Sequence, residues 1–281
     1  MIKIHADDYG ISENINNHII KTIDEGYVNS VSVIVNNLTK EDAENLSKRN
    51  IDLHLHLCLT ENISLSQNNN RETLITKKGI LKNNIKFYLV FYNFLSKNRK
   101  ERINNLVKLE IEEQINKFKR FFNLNKIKID GHQHVHLNNY IFQYLINHSG
   151  IEEIRLPIDR YKLKLKGRYF SINILNNIVK RILINVCLRK KRLLINNSDK
   201  FRCKFFFGIL FSGIMNKKIL HEIIDEIYIN KNNAMILFHP GYSEKNEIIK
   251  NLTIKQSKYY KSVKRLDENK ACIDPILSKL Y

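Results

Sequence analysis

Short apolar runs of β character recur along the chain, and most of them end in a charged or imidazole side chain. IKIHA (2–6) runs into Asp7 and Asp8, and DLHLHLCL (52–59) carries His54 and His56. KIKIDGHQ (126–133) holds Asp130 and His132, IEEIRLP (151–157) holds Arg155, and NAMILFHP (233–240) reaches His239. VNSVSVIV (28–35) is a further run with no such ending. Patterns of helical period lie between these runs. Ile15, Ile19, Ile20 and Ile23 follow Ser12 and stop near Gly26. A helix is expected over Lys40 to Lys48, and another over 100–122 with Leu106, Leu109, Ile115 and Phe118 on one face. LNNYIFQYLINH (137–148) and KKILHEIIDEIYI complete the series. Strands alternating with helices form parallel sheets, because a parallel pair needs a crossover connection. The expected fold class is therefore α/β, either a mostly parallel sheet or a (β/α) barrel. In both, chemistry gathers at the C-terminal edge of the strands, where these polar residues fall.

At 281 residues with 43% apolar side chains, the chain is long enough for one well-buried domain. With three prolines and nine glycines it shows no linker, so a single domain over 1–281 is expected. Residues 159–204 stand apart as a basic, partly helical, insertion-like region whose only acids are Asp159 and Asp199. RYFSINILNNIVKRILINVCLRKKRLL reads as a basic amphipathic helix. It is either a solvated face or an element for a membrane surface or an anionic substrate. The net charge of +19 suits a polyanionic partner, although abundant Lys, Asn and Ile also mark an AT-rich genome.

Cys58, Cys187, Cys203 and Cys272 form no CxxC pair, which argues against a thiolate zinc site or a disulfide framework and for reduced thiols in the cytoplasm. The opening MIKIHADDYG lacks the apolar run of a signal peptide. FFFGILFSGIM (205–215) is shorter than the ~18 residues that a spanning helix needs. A cytoplasmic location is the expectation, with peripheral contact at the anionic inner membrane face as an extension of it.

DGHQHVH (130–136) is the densest polar cluster. Read as a strand, it places His132, His134 and His136 on one face, as DLHLHL places His54 and His56. A catalytic metal takes about three protein ligands and keeps a position for water. The remaining imidazoles would orient ligands, hold substrate or move protons. Aspartate with histidine suits Zn, Ni, Co, Mn or Fe and, less well, Mg. Such an ion acidifies bound water and polarises a carbonyl. These parts describe metal-assisted hydrolysis of an amide or ester. No Walker loop, GxGxxG or GxSxG motif is present. A metal-dependent phosphoesterase or other amidohydrolase on a similar barrel is the alternative within enzymes, distinguished by product. A basic nucleic-acid-binding module is the alternative outside them, but no nucleic-acid motif supports it and no nucleic-acid partner is expected.

HADDYGIS (5–12), HLCLTE (56–61), DGHQHVH, RLP (155–157) and MILFHPGY (235–242) together resemble the YdjC-like family of carbohydrate deacetylases. NSVSVIVNN (29–37) and SDKFRCKFFFGILFSG (198–213) also look like family segments. The resemblance spans nearly the whole chain. It implies a distorted (β/α) barrel-like domain, one divalent ion (magnesium or zinc first, then nickel, cobalt or manganese) and removal of acetyl from an N-acetylated saccharide. Carried over by position, Asp8, His56 and His132 would be the metal ligands. Asp7 would be the general base, by analogy with other metal-dependent sugar deacetylases that carry paired aspartates. His239 would be the acid or a substrate contact. His134, His136, Arg155 and His54 would contact substrate or support the ligands. Relatives also suggest a homodimer. The chain departs from the family at Tyr9, where Phe is usual, at His54, where Gly is common, and at Gly131, where Ser is frequent.

Overall fold

The structure is a computed structural model that describes residues 2–66, 74–159, 172–202, 205–230, 232–244, 246–247, 249 and 251–281. The sheet contains β1 (Lys3–Tyr9), β2 (Ser30–Val33), β3 (Asp52–Leu57), β4 (Ile127–Gly131), β5 (Ile151–Ile154), β6 (Phe205–Phe207) and β7 (Ala234–Phe238). Its order is β5-β4-β3-β2-β1-β7-β6, and every pairing is parallel. The strands curl into a half-barrel. The Phe206 amide donates to the Ile158 carbonyl at 3.2 Å, tying the two edges together.

The helices are α1 (Glu13–Asp24), α2 (Lys40–Ser47), α3 (Ile85–Leu89), α4 (Lys97–Phe122), α5 (Asn139–Asn147), α6 (Ile172–Lys190), α7 (Arg192–Asn196), α8 (Lys217–Ile229), α9 (Ile254–Tyr260) and α10 (Lys264–Cys272). Short 3₁₀ turns cover Phe91–Phe94, His132–Leu137 and Pro275–Leu280. The local chemistry of the helix starts is ordinary. Ser12 accepts from the Ile15 amide to cap α1, and Thr39 with Asp42 forms a reciprocal capping box on α2. No described helix is long and apolar enough to cross a membrane.

Three expectations are corrected. DGHQHVH is not a strand: β4 stops at Gly131, and His132 opens a 3₁₀ turn in which Gln133 and His134 take left-handed φ values of 53° and 59°. The three histidines therefore do not share one face. Leu109 is 44% exposed and lies off the buried stripe of α4, which is formed by Ile103, Leu106, Ile111, Ile115 and Phe118. β6 was not expected, because three phenylalanines are too few to show any alternation. The single basic helix expected within 159–204 is two, α6 and α7; residues 160–171 and 203–204, with Cys203, lie outside the described residues, as do 67–73 of the loop after β3.

The two faces of the sheet differ in chemistry. Ile4, Ala6, Val31, Val33, Leu55, Leu57, Ile129 and Phe238 belong to one large apolar cluster with the surrounding helices. The intervening residues on β1 to β5 form a polar column inside the curl. At its base, Lys3 pairs with Asp52 at 2.8 Å and Glu153 at 2.9 Å, and Lys128 bonds Asp52. Above them His5 is held between the Ser30 and Ser32 hydroxyls, at 2.7 Å each. Asp7, His56, Asp130 and Arg155 form the top. Under β6 and β7 the interior is apolar instead: Phe206, Met235 and Leu237 pack with Leu156 and with Ile184 and Leu188 of α6.

Gly10 makes the turn that follows β1 possible. It has φ +98°, and a Cβ there would lie inside contact distance of the Ile34 carbonyl oxygen. Strain and overpacking add. Gly10→Ala is expected to lower unfolding free energy by about 2 kcal/mol or more, read as a shifted urea midpoint at unchanged slope; an unmoved midpoint would refute the account.

Candidate active site

The site sits at the C-terminal ends of β1, β3 and β4. On a regular strand Asp7 and Asp8 would face opposite ways. Asp8 has φ +79°, and the β1–β2 register shifts between Ala6 and Tyr9. This irregularity brings both carboxylates to one point, each with an oxygen 3.7 Å from His56 Nε2. Both are buried.

Asp8 Oδ1 accepts no hydrogen bond. It lies 3.3 Å from His132 Nδ1 and 3.7 Å from His56 Nε2, and those two nitrogens are 3.2 Å apart. The far nitrogen of each histidine meets a carboxylate. His56 Nδ1 bonds Asp130, which also accepts from Ser32, and His132 Nε2 lies 3.0 Å from Glu61, which accepts from Tyr260. A histidine whose outer nitrogen is held by a carboxylate turns its other lone pair inward, as metal-binding imidazoles do. Donors ~2.1 Å from an ion stand about 3–3.5 Å from one another; two of these separations fall in that range and the third, 3.7 Å between Asp8 and His56, lies slightly above it. Burial opposes a charge on His132, but Glu61 and Asp8 outweigh it and raise its proton affinity well above the usual range. Such an electron-rich trio fits a divalent cation. A second trio, His5, Asp7 and Asp130, also lies close enough to hold an ion. There the position is taken by the Arg155 guanidinium, 2.7 Å from Asp7 and 3.1 Å from Asp130.

Arg155 clamps both oxygens of Asp7, at 2.7 and 3.0 Å. Burial works against the Asp7 carboxylate, yet Arg155, followed by His56 and His5, holds its pKa well below the ordinary range. Asp8 is likewise lowered against burial, by His132 and Arg265. The second oxygen of Asp8 accepts from Arg265 at 3.0 Å. His239 Nε2 lies 3.9 Å from Asp7 Oδ2, and Glu268 accepts from its backbone amide with an oxygen 3.7 Å from its Nδ1. Asp7, Asp8, His56, His132 and His239 are thus gathered in one cluster, each within 3.9 Å of another member.

The other expected residues separate. His134 is buried beside the site with its Nδ1 lacking a hydrogen-bond partner. His136 instead donates to the Arg155 carbonyl at 3.0 Å and is fully buried, which lowers its pKa to about 3. Its ring explains Gly131, where a Cβ would come within 2.5 Å of His136 Nδ1. His54 lies one layer deeper, between Lys3 and Asp130, with no exposure. Arg155 is also fully buried.

Sequence reasoning missed Glu61, Tyr260, Arg265, Glu268, Ser32 and His5 as site residues, and it gave Asp130 no role of its own. Asp130 and Glu61 stood inside the quoted motifs, where an acid beside a histidine run was the available signal. Arg265 and Glu268 lie one turn apart on α10, and nothing near them in sequence marks them. Lys180 of α6 is close enough for Asp7 and Asp8 to act on its charge, although burial lowers its pKa overall.

The whole chain, residues 1–281, matches the YdjC-like protein family, and the chain belongs to that family. It is 29% identical over 254 residues to a carbohydrate deacetylase of Clostridium beijerinckii, covering 86% of this chain and 95% of that protein. It is 29% identical to a carbohydrate deacetylase of Danio rerio over 56% of this chain, spanning 49% of that protein. It is 25% identical to a chitooligosaccharide deacetylase of Yersinia enterocolitica over 59% of this chain and 62% of that one. Among solved structures, an Enterococcus faecalis protein named for cellobiose-phosphate cleavage shares the fold, with TM-score 0.56 at 15% identity over 99% of this chain and 97% of that one.

The column beneath the site makes stability depend on pH. Burial chiefly lowers the His5 pKa to about 4, despite the hydrogen bond that it donates to Asp7, which raises it. An unfolded histidine titrates near 6.5, so between about pH 6.5 and 4 the unfolded chain binds the extra proton and stability falls with pH. The melting temperature is expected to drop through that window, and His5→Asn to flatten the drop. An equal slope in the variant would remove His5 from the explanation.

Proposed function

We propose that this chain hydrolyses the acetamido group of an N-acetylated carbohydrate, releasing acetate and a free amine, with one divalent ion held by Asp8, His56 and His132. The observation that carries the reading is the convergence of three electron-pair donors beside a second, Arg-clamped carboxylate. The deacetylase names of the Clostridium, zebrafish and Yersinia relatives supply the substrate class.

Bound there, the ion would acidify a water and polarise the acetamido carbonyl. Asp7 is the group that takes the water proton. Arg155 keeps it ionised and fixes both of its oxygens, so the base stays aimed when its proton affinity is low. His239, held by Glu268 and 3.9 Å from Asp7, gives a proton to the leaving amine. His134 meets the sugar with its free edge, and its left-handed backbone is what turns it there. His54, His136 and Arg155 do not touch substrate in this reading: they hold Asp7, Asp130 and the end of β5 in place. Magnesium or zinc heads the list of ions, with nickel, cobalt and manganese behind. The reaction is placed in the cytoplasm, in keeping with the free buried thiols of Cys58, Cys187 and Cys272.

Two measurements test this. Acetate release from a panel of N-acetylated saccharides should require the ion and stop on chelation, and Asp7→Asn should lower it by about 10²–10⁴-fold while metal content stays near one per chain. Phosphate release in place of acetate would move the chain to the phosphoesterase class, and full activity in Asp7→Asn would end the base assignment. Separately, Glu61→Gln should weaken ion affinity about 10–100-fold by loosening His132; an unchanged affinity by titration would show that Glu61 does not orient that ligand.

A further inference from the structure

The helix α6 is apolar on two faces. One, with Ile174, Ile184, Cys187 and Leu188, is buried, the last three within the interior cluster. The other carries Leu175, Val179, Ile182 and Val186, spaced four, three and four residues apart, so they form one stripe along the helix. Val179 is 67% exposed and Ile182 59%. On the short helix α7 that follows, Leu193 is 79% exposed as well. Across a groove of about 270 Å³ lined by Tyr88, Phe94, Leu183, Val186, Cys187 and Lys190 stands Phe94, itself 84% exposed. Single exposed apolar side chains need no explanation, but a contiguous row marks a surface that something covers.

The charges round this row indicate what covers it. Arg189, Lys190 and Arg192 are exposed beside the stripe, and Lys97 and Arg99 are exposed just beyond Phe94. From 172 to 198 the chain contains no acid at all. A second copy docked on this face about a two-fold axis would set these cations against themselves with no carboxylate to pair them, and each copy already carries a net +19. An anionic bilayer surface meets both demands: its headgroup boundary receives the apolar row, and its phosphates receive the cations that border it. We infer that the outer face of α6 and α7, with Phe94, is a docking surface for the anionic phospholipid bilayer. It lies flat on the interface, since no described helix can span it. The inner face of the same helix is fastened to the barrel, through Asn177 to the Leu210 and Ser212 carbonyls and through Arg181 to the Asp159 carbonyl. This inference stands apart from the reaction proposed above.

The test is flotation of the purified full chain with vesicles of phosphatidylcholine containing one quarter phosphatidylglycerol, and with phosphatidylcholine alone, at physiological salt. The chain should float with the first and not with the second. Val179→Asn with Ile182→Asn leaves the charge unchanged and should weaken binding at least ten-fold at unaltered melting temperature. The chain has no tryptophan, so Val179→Trp adds a lone reporter whose emission should shift to the blue on anionic vesicles. Failure of the parent chain to float, full binding by the Asn pair, or an unshifted Trp emission would overturn the inference. So would a concentration-dependent dimer dispersed by the Asn pair, which would assign the face to a second copy.

Discussion

The guanidinium of Arg155 is the interaction on which the upper half of the barrel depends. It has no exposure to water, and a buried cation of this kind is tolerable only if opposite charge meets it closely. Asp7 and Asp130 supply that charge from β1 and β4, on opposite sides of β2 and β3. Asp130 in turn holds His56 and Ser32, and His136 holds the Arg155 carbonyl. One cation therefore sets the position of the proposed base, of one proposed ligand and of the end of β5. Neutralising it without refilling its volume would leave two carboxylates facing each other in a buried space.

The strands and the polar ends of β1, β3, β4, β5 and β7 were legible because period-two alternation and a polar terminus are local signals. The same signals failed at DGHQHVH. Alternation in sequence is not alternation in space there, because left-handed backbone at Gln133 and His134 ends the strand and sends three histidines to three tasks. The φ values of non-glycine residues leave no mark in composition. Nor could the sequence announce Arg265, whose partner Asp8 is 257 residues away, or the place of His54 one layer below the donor trio, between Lys3 and Asp130. Local chemistry could be read; pairing across the curl could not.

The polar column explains how a half-barrel with so many inward ionisable groups stays folded. Lys3, Asp52, Lys128 and Glu153 close the base as paired charges, and His5 bridges two hydroxyls above them. Each of these groups is met by a side chain of another strand, with Lys3 of β1 reaching past β2 to Asp52 of β3 and to Glu153 of β5, so the network is a requirement on register as much as a set of contacts. A one-residue slip between β1 and β2 would carry His5 away from both serines at once.

The site depends on two helices that follow the sheet in sequence, α9 and α10. Arg265 on α10 holds Asp8, Tyr260 on α9 holds Glu61, and Glu268 on α10 holds His239. A nascent chain that has completed all seven strands still lacks every one of these props. Until residues 260–268 are made, His56 has Asp130 and His132 has Glu61, but Asp8 lacks Arg265 and Glu61 lacks Tyr260. The donor set is thus completed by segments that follow the last strand in sequence, so the sheet alone does not make the site.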